Sequence, residues 1–466
     1  MASINYDKIK TDAAQHPKPQ DIKYTHGTAG FRMKVGILAG LRSKKLDGKV
    51  IGVMITASHN REIDNGVKLV DPYGEMLHQS WEGYATQLAN AQTEDELVEI
   101  IKTIVKEFDI DETKPSKTTP QLHYVTCCLN TQGTEKSYGE PTEAGYYKKL
   151  ANAYRRIMEG KSRPSLLYVD SANGVGAIKL KELSNYIDKD ILDVIVLNDD
   201  IKTQGKLNHL CGADYVKSNQ RLPIGINIKA GERAASFDGD ADHGTFRLFD
   251  GDKISSLAGS FIIDLVKAAG LEGINVGVVQ TAYANGSSTH YLEKVMKVPV
   301  SCVPTGVKHL HHEAEKFDIG IYFEANGHGT ILFSPTAMKI IQQEDAIERL
   351  RALTELINQT VGDALSDLLL VEAILANRQW TLKQCNEAYK DLPNRLVKVI
   401  VTDRHIFKTT NAERTLVEPA GLQGKIDALV GKYKDGRSFC DELAYSVSGL
   451  VYDEAGGTGG RPDEFL

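Results

Sequence analysis

The stretch Ala234-Ala235-Ser236-Phe237, running straight into Asp238-Gly239-Asp240-Ala241-Asp242, carries the first decision about this chain. A short run of small and apolar residues reads as a buried strand, and it empties into a turn bearing carboxylates at alternating positions. The pattern recurs on both sides. Val50 to Ile55 ends at Thr56-Ala57-Ser58-His59-Asn60, and Leu166 to Val169 ends at Asp170-Ser171-Ala172-Asn173-Gly174. Val276 to Val279 ends at Thr281-Ala282-Tyr283-Ala284-Asn285-Gly286, and Ile319 to Phe323 at Glu324-Ala325-Asn326-Gly327. Asp193 to Leu197 is a further strand candidate. Helical periodicity alternates with these runs: one stretch spans Ser80 to Phe108 with Leu88, Leu97, Ile100, Ile101 and Ile104, and long helical patterns fill Ala337 to Asn377. Strands alternating with helices specify an α/β fold. Ligands of open α/β sheets sit outside the carboxyl ends of strands, so the polar loops are where function is sought.

The chain has 466 residues, which the usual domain size divides into about three domains. Hydrophobic residues make up 41% and charged residues 25%, which excludes bulk disorder. The net charge of −7 leaves no basic surface for nucleic acid. Cysteines at 127, 128, 211, 302, 385 and 440 form no Cys-x-x-Cys pair, so neither a disulfide scaffold nor a structural zinc is expected. The N-terminal MASINYDKIK has no apolar core, and the best apolar run, Phe261-Ile262-Ile263, is broken by Asp264. A cytoplasmic location with no membrane partner is expected. The final stretch reads as a strand at Val397 to Val401 with helices near Leu422–Tyr433 and Asp441–Val451.

Each loop offers a chemistry and a plainer alternative. Asp238, Asp240 and Asp242 can turn three carboxylates toward one point, and all-oxygen donors select hard Mg²⁺ or Ca²⁺. An EF-hand requires Gly and Glu where His243 and Phe249 stand, so that reading fails. The alternative is a solvated acidic turn. Ser58 beside His59, without the Gly-x-Ser-x-Gly elbow, is either an ordinary loop pair or a nucleophile that carries a phosphoryl group. A phosphorylated serine holds about −1.5 to −2 charges, which Mg²⁺ bridges to aspartates. Glu324 and Asn326 suit bidentate contacts to sugar hydroxyls or an amide, and Gly327 allows close approach. The alternative there is a glycine-rich turn with a satisfied His328. Thr305-Gly306-Val307-Lys308-His309-Leu310-His311-His312 lacks the His-Glu-x-x-His zinc pattern and reads as a helix start with Lys308 and His309 available for an anion. Gly27-Thr28-Ala29-Gly30-Phe31-Arg32 places a guanidinium fork beside a permissive loop. Walker A and complete Gly-x-Gly-x-x-Gly motifs are absent.

Taken together, GTAGFR (27–32), TASHN (56–60), DNGVKLVDPYGEML (64–77), CGADYVKS (211–218), SFDGDAD (236–242), DGDKI (250–254), QTAYANGSST (280–289), TGVKHLHH (305–312) and FEANGHGT (323–330) resemble the α-D-phosphohexomutase superfamily, in its N-acetylglucosamine branch. The resemblance implies three related α/β domains and a smaller, truncated α+β C-terminal domain, placed here at 1–155, 156–257, 258–380 and 381–466. It implies Ser58 as the phosphoserine, with Ser58, Asp238, Asp240 and Asp242 around Mg²⁺. Arg32, His59 and Lys68 match positions around that serine. Glu324, Asn326 and Gly327 match the sugar loop, and Lys308 and His309 match the loop that orients substrate. The implied reaction interconverts N-acetylglucosamine 6- and 1-phosphates through a sugar 1,6-bisphosphate, which also serves as primer, and feeds UDP-N-acetylglucosamine biosynthesis. A monomer acting on a small sugar phosphate is expected.

Several departures accompany the match. The superfamily's last domain has an Arg-Pro-Ser-Gly-Thr-Glu phosphate clamp, whereas Gly436-Arg437-Ser438-Phe439 here leads directly into Cys440-Asp441-Glu442-Leu443. A Gly-Arg-Asp-x-Arg strand end is missing before Thr118-Thr119-Pro120-Gln121-Leu122, the stretch at Arg32-Met33 is shortened, and His243 stands where Arg usually follows the metal loop. These imply an alternative: a splice or gene-model variant that binds Mg²⁺ and sugar phosphate without turnover.

Overall fold

Short apolar runs bury both faces only by pairing into sheets covered with helices, and the chain does this repeatedly. The computed structural model describes residues 29–56, 66–91, 93–110, 118–119, 123–134, 137–219, 221–229, 232–241, 244–246, 249–271, 273–343, 348–359, 361–392, 396–400, 406–432 and 446–450. In the first sheet, β1 (Ile51–Thr56) pairs antiparallel with β2 (Gly66–Val70) and parallel with β3 (Thr118–Thr119). The second sheet orders β5 (Val194–Leu197), β4 (Leu167–Asp170), β6 (Arg233–Phe237) and β7 (Gly244–Phe246) side by side. Its β4, β5 and β6 are parallel and β7 is antiparallel. The third repeats that plan with β9 (Val300–Val303), β8 (Val276–Thr281), β10 (Ile319–Phe323) and the antiparallel β11 (Gly329–Phe333).

One topological position is therefore used three times. β1, β6 and β10 each lie between a parallel neighbour and an antiparallel one reached by the next connection. Those three connections carry the TASHN, DGDAD and EANG motifs. No sequence repeat announces this, because pairing geometry constrains backbone and not side-chain identity.

The second and third sheets share one apolar core. Helix Gly251–Ala268 contributes Ile254, Leu257, Phe261 and Ile262, and helix Glu143–Met158 contributes Tyr147, Leu150, Tyr154 and Ile157. Helix Ala364–Arg378 is apolar on nearly every face and is correspondingly buried through Ala376. The first sheet keeps its own core of Leu38, Trp81, Leu88, Leu97, Ile101 and Ile104.

Two helical expectations are corrected. Ser80–Phe108 is not one helix: Gln79–Asn90 and Glu94–Glu107 are separate, and the Thr93 side chain accepts the Glu96 amide at 3.1 Å to cap the second. Within Asp441–Val451, the described residues form strand β15 (Ser446–Leu450), not a helix. It pairs antiparallel with β12 (Leu396–Ile400), matching Leu396 to Leu450 and Ile400 to Ser446. The β-branched β12 needs a ladder partner, and that tertiary demand outweighs local helical pattern. The hairpin β13 (Lys408–Thr410) and β14 (Thr415–Glu418) and helix Leu422–Val430 complete the described C-terminal elements.

A buried carboxylate in this core makes a measurable prediction. Asp363 caps helix Ala364–Arg378, accepts the amides of Leu365 and Ser366 at 3.2 Å, and receives the Tyr146 hydroxyl at 2.6 Å. Asp367, one turn on, is 5% exposed, and burial followed by the Asp363 charge pushes its carboxyl well above the usual range. A raised carboxyl contributes stability that is fully present below the ordinary carboxylate range and lost as pH rises through its folded value. Asp367→Asn should therefore stabilise the protein by about 1 kcal/mol or more at pH 8, with little gain at pH 4. Urea unfolding across that range checks the slope, and a gain that shrinks with rising pH would contradict it.

Candidate active site

The acidic loop begins where β6 ends. Asp238 is 1% exposed, and the turn closes through Ala241, whose φ of 60° is left-handed and whose amide reaches the Asp238 carbonyl at 3.4 Å. A second loop braces it from β4: the Val175 amide donates to the Gly239 carbonyl at 3.1 Å. At Gly174 a Cβ would stand 2.2 Å from that same oxygen, so only glycine permits the approach.

The first sheet delivers a cation to this loop. Lys68 sits on β2 opposite Met54, two positions from the Thr56–Gly66 pair where the β1–β2 hairpin is joined, and its Nζ lies 3.4 Å from Asp240 Oδ2. The connection closing that hairpin holds Ser58 and His59. Ser58, His59 and Asp242 lie outside the described residues. Arg32 is on helix Ala29–Lys45, and its side chain is likewise outside them. Among the described residues no group of three His, Cys, Asp or Glu side chains could hold a metal ion.

The donor set still suits one. Asp238 is buried and the Asp240 side chain is 8% exposed, so two carboxylates withdrawn from water stand two residues apart at the end of one strand, with the Lys68 ammonium 3.4 Å from the second. A hard divalent cation matches their oxygen chemistry, with Asp242 two residues on as a third donor.

The sugar-loop candidates occupy the β10–β11 turn. The Glu324 amide donates to the His328 carbonyl at 2.8 Å and the Gly327 amide to the Glu324 carbonyl at 2.8 Å, with Gly327 at a φ of 91°. Asn326 Oδ1 accepts the His328 amide at 3.2 Å. The start of helix Gly251–Ala268 is driven against this turn: the Gly251 amide reaches the Ala325 carbonyl at 3.2 Å, and a Cβ on Gly251 would fall 1.8 Å from the Glu324 carbonyl oxygen. Gly251→Ala should cost about 3 kcal/mol and push the Glu324–Gly327 turn outward. Chemical denaturation measures the loss, and a stability unchanged within 0.5 kcal/mol, the range usual for a surface substitution, would rule it out.

Lys308 and His309 open helix Val307–Ala314, whose N-cap is Gly306. The Gly306 amide donates to Glu324 Oε1 at 3.3 Å, which joins this loop to the sugar turn. Lys308 pairs with Glu82 of helix Gln79–Asn90. Burial lowers the Lys308 ammonium below its ordinary value, and the Asp71 charge opposes that shift. His309 is exposed. His311 is buried against the Tyr322 hydroxyl at 3.0 Å, and burial holds its ring below the usual histidine value, consistent with a core residue. Lys68 thus meets Asp240, Glu324 meets the Thr305–His309 loop, and that loop meets Glu82. Glu82, Gly174 and Gly251 escape sequence reasoning. Glu82 is an ordinary helical acid by spacing, and the two glycines matter only because distant backbones arrive beside them.

Comparison with known proteins closes the case. The family described as Phosphoacetylglucosamine mutase AMG1 matches through domain II over residues 133–245 and domain III over 250–380. Residues 41–96 match the Phosphoglucomutase/phosphomannomutase alpha/beta/alpha domain I. The phosphoacetylglucosamine mutase of Sus scrofa is 46% identical over 547 aligned positions, covering 98% of this chain and 99% of that protein. That of Candida albicans is 48% identical, covering 94% of each. Aspergillus fumigatus N-acetylphosphoglucosamine mutase in complex with GlcNAc-6P and magnesium superposes with a TM-score of 0.89 at 48% identity, covering 97% of this chain and 96% of that one. The same enzyme with glucose 1,6-bisphosphate reaches 0.92 at 47% identity, with the same coverage. The chain belongs to the phosphoacetylglucosamine mutase family, a group of isomerases within the phosphohexomutases.

Proposed function

We propose that this chain interconverts N-acetylglucosamine 6-phosphate and N-acetylglucosamine 1-phosphate by way of a phosphorylated Ser58 and a 1,6-bisphosphate, and so supplies UDP-N-acetylglucosamine synthesis. The single observation that carries the reading is the Lys68–Asp240 contact, which sets the serine-bearing hairpin of the first sheet against the acidic loop of the second. Membership of the family and its relatives' ligands support the same substrate class.

Asp238, Asp240 and Asp242, with phospho-Ser58, would hold Mg²⁺, which neutralises charge on the phosphoryl group being transferred. The chain's own side chains do the rest. Lys68 and Arg32 would supply positive charge for the serine, and His59, its neighbour in sequence, would take or return the hydroxyl proton. Glu324 and Asn326 grip the sugar from the β10–β11 turn, and Lys308 with His309 attracts the phosphate that is not transferred. Phospho-Ser58 gives its phosphoryl group to the 1-hydroxyl of the 6-phosphate, the resulting bisphosphate reverses its orientation, and its 6-phosphoryl group passes to Ser58, which regenerates the phosphoserine and releases the 1-phosphate. The domains follow as 1–155 for the serine, 156–257 for the metal loop, 258–380 for the sugar loop and 381–466 for the C-terminal unit. No helix among the described residues is long and apolar enough to cross a membrane.

A specific observation keeps a second reading in view. The alignment with the Sus scrofa protein spans 547 positions, more than the 466 residues present here, while covering nearly all of both chains. Relatives therefore carry internal segments that this chain lacks. Loss of a bidentate phosphate clamp weakens both binding and orientation, so the alternative is a protein that binds Mg²⁺ and sugar phosphate without turnover. Phosphorus NMR with Mg²⁺, N-acetylglucosamine 6-phosphate and a trace of sugar 1,6-bisphosphate separates the two. Growth of a 1-phosphate signal establishes the mutase; binding without that signal establishes the alternative.

A further inference from the structure

The Thr305–His309 loop is held from three directions by carboxylates, and one of them comes from the C-terminal unit. Glu413 lies between β13 and β14, is 5% exposed, and accepts the Thr305 amide on Oε2 at 3.0 Å. The Thr305 hydroxyl donates to the same oxygen. The neighbouring amide, Gly306, is taken by Glu324 Oε1, and Lys308 by Glu82. Three consecutive residues at the hairpin tip, Asn411, Ala412 and Glu413, have φ values of 55°, 53° and 65°. Side chains other than glycine adopt that left-handed region at a cost, and a run of it persists only where the surroundings over-determine it. The tip is shaped to bring one carboxylate down onto one loop.

We propose that Glu413 is a positioning residue: it holds the Thr305–His309 loop in the conformation that presents Lys308 and His309 to the sugar phosphate, and it links that loop to the placement of the C-terminal unit. The inference rests on the proposed function, because it assigns this loop to substrate. Glu324 divides its acceptor sites between the Gly306 amide and, in the proposed function, the sugar hydroxyls, so its hold on the loop is not dedicated to the loop. Glu413 comes from outside the sugar turn, and its charge-assisted contact to the backbone keeps the loop in place whether or not substrate is bound.

Four proteins test this: wild type, Glu413→Ala, Glu413→Gln, which keeps an acceptor oxygen, and Thr305→Ala. Amide hydrogen exchange at Thr305 is followed alongside calorimetric binding of N-acetylglucosamine 6-phosphate with Mg²⁺, and the amides of β8 and β10 report intact folding. In Glu413→Ala the Thr305 amide should exchange at least roughly tenfold faster and the dissociation constant should rise about tenfold or more, the low end of the scale of one charge-assisted hydrogen bond. Glu413→Gln should restore most of both. If Glu413→Ala disturbs β8 and β10, Thr305→Ala, which removes only the hydroxyl donor, should still raise the dissociation constant about threefold, close to the scale of one ordinary hydrogen bond. Unchanged affinity in the Glu413→Ala and Thr305→Ala proteins would overturn the proposal alone. A wild type that binds no sugar phosphate would overturn it together with the proposed function.

Discussion

Ser58→Ala should reduce exchange between the 6- and 1-phosphates by at least about a thousandfold, to the detection limit, while leaving sugar-phosphate binding within a few-fold of wild type. The asymmetry follows from the proposed chemistry. A residue that carries the transferred group is a reactant in each half of the cycle, so its loss removes a covalent step and not merely some stabilisation of a transition state. Under the same proposal, binding of the sugar phosphate depends instead on Glu324, Asn326 and Lys308, which the substitution leaves alone. Phosphorus NMR reads the exchange and calorimetry reads the binding. A Ser58→Ala protein that still made the 1-phosphate would sink the phosphoserine reading outright. If the wild type is itself inactive, the serine's role remains accessible by another route: phosphate transferred from sugar bisphosphate should appear on intact protein by mass spectrometry, and should be absent from the Ser58→Ala protein.

Asp240→Asn should lower exchange by about 10² to 10³, the scale seen when one preorganised electrostatic group is removed from a reacting centre. It should also raise the Mg²⁺ concentration needed for half-maximal rate. Asn keeps the shape and one oxygen but loses the charge that a hard cation selects. Folding stability should fall by no more than about 1 kcal/mol, because the Lys68 partner is half exposed and the Asp240 charge is itself costly to bury. The test is thus a divergence: a large kinetic effect beside a small effect in chemical denaturation. Equal losses in both would show that Asp240 is a structural residue and that the loop is the plain acidic turn its sequence also permits.

Legibility differed by element for physical reasons. The inner strands were readable from Val50 to Ile55, Leu166 to Val169, Val276 to Val279 and Ile319 to Phe323, since strands buried on both faces must be nearly continuous apolar runs. β15 is not legible locally, because Ser446 to Leu450 has weak intrinsic preference and becomes a strand beside β12. The Ser80–Phe108 stretch was read through its break, because apolar periodicity continues across Thr93 while the backbone turns there. Motif residues such as Asp238, Asp240, Glu324 and Asn326 stood out because functional loops need unusual residues close together in the chain. Glu82, Gly174, Gly251 and Glu413 did not, because each acts on a segment far away in sequence.

By itself, then, the sequence determined the α/β class, the inner strands, the clustering of chemistry at their carboxyl ends and the family. Those depend on local hydrophobic pattern and on short motifs, both written along the chain. The tertiary structure decided that the three motif loops share one topological position, that Lys68 faces Asp240, and that carboxylates from three separate units converge on the Thr305–Lys308 segment. Such contacts join residues far apart in the chain: Lys68 and Asp240 are 172 positions apart, and Glu82 and Lys308 are further apart still. They are settled by sheet pairing and by how the sheets pack, and no local spacing encodes either one.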